Sequence, residues 1–202
     1  MPVHIFTTNY DLLSEQALEE EGAPYFDGFI GSRKAFFDLA AVEDENLLPP
    51  RWTRLWKMHG SINWRLESQG RVTRGLHSET DENYLIYPSH LKYDESRKMP
   101  FLAMMDRFKD FILQQSSILF MSGYSFGDEH INNLLLEGLR SNPTAMVYGL
   151  LHGELQDDEG KPIQKYEKAR ELALKTPNLA LLAADVGIIG RKEAKWSAQE
   201  DS

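Results

Sequence analysis

Leu55-Trp56-Lys57-Met58-His59-Gly60-Ser61-Ile62-Asn63-Trp64 reads as a buried strand running into a tight turn. Leu55, Trp56 and Met58 are core-forming residues, and His59 stands where strand becomes loop. Gly60 allows a sharp backbone turn, and Trp56 and Trp64 are placed to wall a site on either side. Open α/β sheets place their ligands at strand ends of this kind. A single histidine there, taken alone, is better explained as a core residue satisfied by a backbone carbonyl, so the rest of the chain has to decide.

Working outward, Val3 to Thr8 is β-branched and aromatic, which predicts a strand. Asn9 and Asp11 supply turn and cap chemistry before an acidic helix over Leu12 to Glu21, closed by Gly22 and Pro24. Tyr25 to Pro50 predicts a packed loop with short helix or strand. Leu66 to Asn83 is polar and predicts a mobile insertion, and Tyr84 to Tyr87 a short strand. Phe101, Met104, Met105, Phe108, Phe111 and Ile112 recur at steps of three and four, the pattern of an amphipathic helix.

Ile118 to Met121 predicts a buried strand leading into Gly123-Tyr124-Ser125-Phe126-Gly127, with a helix from Asp128 to about Ser141. Ala145 to Tyr148 is the next strand, Ile163 to Leu172 a helix, and Leu179 to Leu182 and Gly187 to Ile189 two closing strands. Residues 1–190 form one domain on this reading, and residues 191–202 a polar tail. Strands alternating with helices predict an α/β fold, a Rossmann-like parallel sheet with helices on both faces.

Composition agrees with a globular protein. The 202 residues are 42% hydrophobic and 11% aromatic, enough for a real core. A net charge of −9 argues against nonspecific attraction to nucleic acid or to an anionic membrane. Arg51, Arg54, Lys57, Arg65, Arg71 and Arg74 cluster in sequence around His59. Such a cluster is either solvated surface or a means of steering a phosphorylated small molecule. With no cysteine, disulfides and thiolate zinc sites are excluded. No apolar run approaches the roughly 20 residues that span a bilayer, and no charged leader precedes an apolar stretch. A cytoplasmic protein is expected.

Three strand ends carry the chemistry: Thr7-Thr8-Asn9-Tyr10-Asp11, His59-Gly60-Ser61 and Gly123-Tyr124-Ser125-Phe126-Gly127-Asp128. In one parallel sheet they would share a carboxyl edge. In this order they resemble the motifs of the sirtuin family: TTNYD its Thr-Gln-Asn-Ile-Asp motif, His59-Gly60 its catalytic His-Gly, and GYSFGD its Gly-Thr-Ser turn. The likeness is closer still to the sirtuin-like domains of bacterial antiphage-defence proteins. It covers about Val3 to Ile131, and more weakly Gly187 to Gly190.

That resemblance implies an NAD site and cleavage of the nicotinamide–ribose bond, with positive charge developing on the ribose as in other glycosidic cleavages. It implies His59 as general base, acting on water or through a ribose hydroxyl, and Asn9 as the residue that contacts the ribose or positions the water. Thr7, Thr8, Asn9 and Asp11 would bind the cofactor, Asp11 at the nicotinamide end. Gly123, Tyr124 and Ser125 would receive ribose or phosphate oxygens at a helix start. The plainer alternatives are a helix cap for Asn9 and Asp11 and an ordinary turn for Gly123.

The departures are equally specific. The sirtuin deacylases carry a four-cysteine zinc module; its absence here implies no zinc and favours NAD hydrolysis over deacylation. Thr8 stands where they have glutamine. The family's first strand and Gly-Ala-Gly phosphate loop would precede TTNYD, which implies a domain incomplete on its N-terminal side. An upstream polypeptide or effector domain would then complete it, or the chain would associate with its own copies. Two alternatives stand beside NAD hydrolysis: a catalytically silent nucleotide-binding or oligomerisation module, and a serine esterase. The second rests on G-x-S-x-G at Gly123 to Gly127 with Ser125 as nucleophile, although only His130, one turn into the same helix, and His152 follow, and neither makes a convincing Asp-then-His pair. His4, His77, His90, His130 and His152 show no metal-ligand spacing.

Overall fold

A computed structural model describes residues 2–67, 70–75, 84–85, 99–157 and 159–196. The chain forms two compact units, Met1–Phe108 and Lys109–Ser202.

The first unit runs β1 (His4–Thr7), α1 (Leu13–Glu20), β2 (Tyr25–Phe26), β3 (Phe29–Ile30), β4 (Ala35–Phe37), α2 (Leu39–Glu43), β5 (Thr53–Lys57), β6 (Trp64–Leu66) and β7 (Val72–Arg74). A parallel sheet has the order β1-β5-β2, with Thr7 opposite Lys57 and Phe26 opposite Arg54. A second sheet, antiparallel, has the order β3-β4-β7-β6. The region expected to be a mobile insertion therefore supplies two paired strands as far as Arg74; residues 68–69 and 76–83 lie outside the described residues. Of the strand expected over Tyr84 to Tyr87, Leu85 makes a single bridge to Gly60 and the last two residues lie outside the description.

Trp56 and Trp64 are fully buried and pack with Phe26, Phe29, Val42 and Phe101 in one hydrophobic core. They are core residues, and the expectation that they wall a site is corrected. Their size suits this: each ring removes much apolar area from water, and Phe29 and Phe101 lie within 5.0 and 6.1 Å of the Trp64 ring. The Trp56 indole N–H donates to Nδ1 of His4 at 3.2 Å, which pins that imidazole as an acceptor.

α3 (Phe101–Leu113) matches its predicted stripe, with Phe101, Met104, Met105, Phe108 and Ile112 buried. The second unit continues with β8 (Ile118–Ser122), α4 (Glu129–Ser141), β9 (Met146–Leu150), α5 (Glu167–Lys175), β10 (Leu179–Leu182), β11 (Val186–Ile189) and β12 (Lys192–Lys195). Its sheet has the order β12-β11-β10-β9-β8; β8, β9 and β10 are parallel and the last two strands antiparallel. α5 packs against β10 and β11. Gly138 of α4 lies where a Cβ would sit 2.6 Å from Ile112, so only glycine lets that approach occur. The expected Rossmann-like α/β architecture is what the chain adopts.

Two expectations differ here. The polar tail is, through Trp196, an edge strand and its aromatic anchor, since the Trp196 indole N–H donates to the Ala183 carbonyl at 2.8 Å. β8 is an edge strand and not a buried one: Ile118 is 55% and Phe120 66% exposed. Its apolar face was read as core because apolar content alone does not distinguish an edge from a centre. Among the described residues no helix is long and apolar enough to cross a membrane.

The His4 side chain is only 4% exposed. Burial, with Arg54 and Arg107 nearby, holds its pKa below the ordinary 6.5 even though the Glu45 carboxylate opposes them. The unfolded chain then binds a proton that the folded state refuses. Stability is complete above pH 6.5 and falls as the pH drops from there toward the lowered folded value. Calorimetric melting temperatures should decline over that range, and His4→Gln, which still accepts from Trp56, should flatten the decline. An equally steep decline in that variant would refute this role.

Candidate functional site

The site begins at the carboxyl ends of β1 and β5. Because the two strands are parallel and adjacent, Thr7-Thr8-Asn9-Tyr10-Asp11 and Met58-His59-Gly60-Ser61 leave the sheet side by side. Backbone bonds join the two loops: the Met58 N–H donates to the Thr7 carbonyl at 2.9 Å, and the Ile62 N–H to the Tyr10 carbonyl at 3.0 Å. The Ser61 hydroxyl, fully buried, donates to the same Tyr10 carbonyl at 3.4 Å. The Tyr10 and His59 rings lie 6.4 Å apart. His59 itself is buried, with 7% of its surface exposed.

Gly60 makes the turn possible. Its φ is +91°, and a Cβ would meet the Tyr84 carbonyl oxygen at 2.7 Å and the Phe101 ring at 3.0 Å. Side chains are excluded by both the backbone angle and the space.

In the neighbouring loop the Asn9 N–H donates to the Thr7 hydroxyl at 3.1 Å, and the Asp11 carboxylate accepts from the Leu13 N–H at 3.1 Å, just ahead of α1. The plain reading of Asp11 as a turn residue thus holds for one of its oxygens, while the cap position of α1 is Leu12, which makes no side-chain capping bond. Asn9 is exposed, and Thr7 and Thr8 are half-buried.

Thr7, Thr8, Asn9, Asp11 and His59 are therefore brought together in the first unit. Gly123, Tyr124 and Ser125 belong to the second. Gly123 has φ +69° and Phe126 φ +59°, which shapes the turn between β8 and α4. The Tyr124 hydroxyl lies 2.9 Å from Oδ1 of Asn132 and 3.1 Å from the Asp128 carbonyl. Burial, then the Asp128 charge, push its pKa up, so it stays protonated. Ser125 is exposed.

The Asp128 carboxylate accepts from the backbone N–H groups of His130 and Ile131. Two of the donors at this helix start are therefore engaged by the cap. In a nucleophile elbow the serine occupies the strained position of the turn; here the left-handed backbone falls on Phe126, which weighs against Ser125 as an esterase nucleophile.

The basic cluster around His59 is spent on structure. Arg54, 1% exposed, donates to the Trp52 carbonyl at 2.8 Å, and Arg65 to the carbonyls of Trp64 and Ile62. Arg74 pairs with buried Asp27, whose carboxyl burial pushes up while Arg74 draws it down. Arg71 lies over the Phe36 ring. Arg54 and Lys57 are thereby withdrawn from any phosphate-steering patch, while Arg51 and Arg71 stay exposed.

A surface cleft lined by Leu139, Pro143, Met146, Thr176 and Asn178 lies at the amino ends of β9 and β10. That is the end of a parallel sheet opposite to where ligands bind. Among the described residues no group of three or more His, Asp or Glu could hold a metal ion.

The SIR2-like domain family matches residues 3–175. The chain belongs to it. This SIR2-like chain thereby belongs among proteins that bind and process NAD, and the paired loops after β1 and β5 lie within the matched residues. No curated protein matches the chain.

Sequence reasoning gave no role to two residues that tie these loops together. Ser61, named only as the end of His59-Gly60-Ser61, is buried against the Tyr10 carbonyl. Lys57, counted with the basic cluster, is 1% exposed and contacts the Asp11 backbone. Its place at the end of an otherwise buried strand could have singled it out.

Gly60→Ala should cost about 1–3 kcal/mol, read as a lower urea midpoint with the slope unchanged. An unaltered midpoint would show that the turn tolerates a side chain.

Proposed function

We propose that the chain binds NAD and cleaves its nicotinamide–ribose bond, as the cytoplasmic NAD hydrolase of a prokaryotic antiphage defence. The observation that carries this reading is the meeting of His59 with the Thr7–Asp11 loop at adjacent parallel strand ends. In the reaction the bond between C1′ of the ribose and the pyridinium nitrogen breaks, its electron pair staying on nicotinamide. Water attacks C1′, and His59 takes the proton released, directly or through a ribose hydroxyl. Asn9 positions that water or the ribose, and Asp11, through the oxygen not used by Leu13, receives the nicotinamide end. Thr7 and Thr8 complete the loop around the ligand.

The second reading is a nucleotide-binding or association module without catalysis, requiring a further strand to complete its sheet. The two edges of the five-stranded sheet favour it. β12 carries Lys192, Glu193 and Lys195, charges that discourage strand addition, whereas β8 carries none. An additional strand from another polypeptide, or from a second copy of the chain, fits that edge.

Incubation with NAD and measurement of free nicotinamide separates these readings. Release that His59→Ala lowers at least 100-fold and Ser125→Ala leaves within a few-fold supports hydrolysis. NAD binding without release supports the silent module, and release unaffected by His59→Ala overturns the assigned base. On size-exclusion chromatography the chain should elute above its monomer mass, and Phe120→Lys should shift it toward monomer. A wild-type monomer would count against the open-edge reading.

A further inference from the structure

We propose that Lys57 and Glu15 act as a pair of positioning residues, which clamps the Thr7–Asp11 loop against the His59 turn. This rests on the hydrolase reading for its catalytic consequence, but its geometry stands apart from that reading. Lys57 closes β5 two residues before His59, and Glu15 lies in the first turn of α1. The Lys57 side chain is 1% exposed and that of Glu15 9%. The ammonium lies 3.0 Å from Oε1 of Glu15 and also donates to the backbone carbonyl of Asp11. One cation therefore holds the end of the candidate NAD loop, the start of α1 and the strand that delivers His59.

Stability alone is a poor explanation for this arrangement. Removing two charges from water costs several kcal/mol per ion, and a buried pair generally returns no more than apolar residues of the same volume would. Oε2 of Glu15 is moreover buried without a hydrogen-bond partner, an unsatisfied acceptor that adds to the cost. What the pair achieves that apolar residues could not is a directed bond to the Asp11 carbonyl. That bond fixes where the loop enters α1, and with it the position of Asp11 relative to His59. Displacements of about 1 Å in such a site can cost on the order of 100-fold in rate.

The test is the double variant Lys57→Met/Glu15→Leu, which replaces both charges by apolar side chains of similar size. It should fold, with a melting temperature within a few degrees of wild type. The amides of Leu13 and Ile62, which report the loop's bonds to Asp11 and Tyr10, should exchange with deuterium at least tenfold faster. With NAD, kcat should fall about 10- to 100-fold while KM changes less than threefold.

Unchanged exchange at both amides in the folded variant would overturn the clamp, and so would a kcat within twofold of wild type. If the double variant does not fold, Lys57→Met alone, measured for exchange at Ile62 under native conditions, decides the same question in the same sense. Wild-type protein that releases no nicotinamide would defeat the hydrolase reading while leaving the exchange measurement to decide the clamp.

Discussion

Parallel pairing of β1 with β5, Thr7 opposite Lys57, governs the end of the first unit where the candidate site lies. A parallel pair ends both strands at the same side of the sheet, so the loops that follow become neighbours and can bond to each other, as Ile62 and Ser61 do to Tyr10. An antiparallel pairing of the same two strands would have sent TTNYD and His59-Gly60 to opposite ends. The register is held from several directions at once. From Arg54 to Lys57 every β5 residue is buried, so both faces of the strand are committed to packing. A shift by one residue would exchange those faces and drive Lys57 into the position of Trp56.

The strands and helices were legible where hydrophobic periodicity was long and unbroken. The stripe from Phe101 to Ile112 is the clearest case, and β1, α1, β9 and β10 lie within a residue or two of their expected bounds. The α/β class followed from alternation. What pattern could not convey was which strand lies at an edge. Ile118-Leu119-Phe120-Met121 has the composition of a central strand and the exposure of a peripheral one, and a chain's own residues cannot report a neighbour they lack. The antiparallel β6–β7 pair was missed because it is short and interrupted by polar residues, so it reads as loop.

The site was legible as a set of motifs and less so as an environment. His59, Asn9 and Asp11 came from their order along the chain, and β1 and β5 do bring them together. Trp56 and Trp64 were misplaced because sequence neighbours on a strand alternate in direction, and a ring beside a histidine in sequence need not face what the histidine faces. The basic cluster failed for a related reason. A positive charge counts toward an electrostatic patch only when it is exposed, and Arg54 and Lys57 are almost wholly buried among carbonyls and a carboxylate. Pairing of that kind depends on residues far apart in sequence, such as Glu15 for Lys57 and Asp27 for Arg74.

The anchoring of Trp196 has a spectroscopic consequence. Of the four tryptophans, Trp52, Trp56 and Trp64 belong to the first unit and Trp196 alone to the second. Trp56 and Trp64 are sealed from water, whereas Trp196 lies half-exposed against Gly187. Their emission differs accordingly, blue-shifted for the sealed pair and red-shifted for the half-exposed ring. With Trp196 replaced by phenylalanine, fluorescence reports the first unit alone, and the difference from the parent chain reports the second. The distribution of indoles along this chain thus lets the loss of structure in each half be followed separately in a single cuvette.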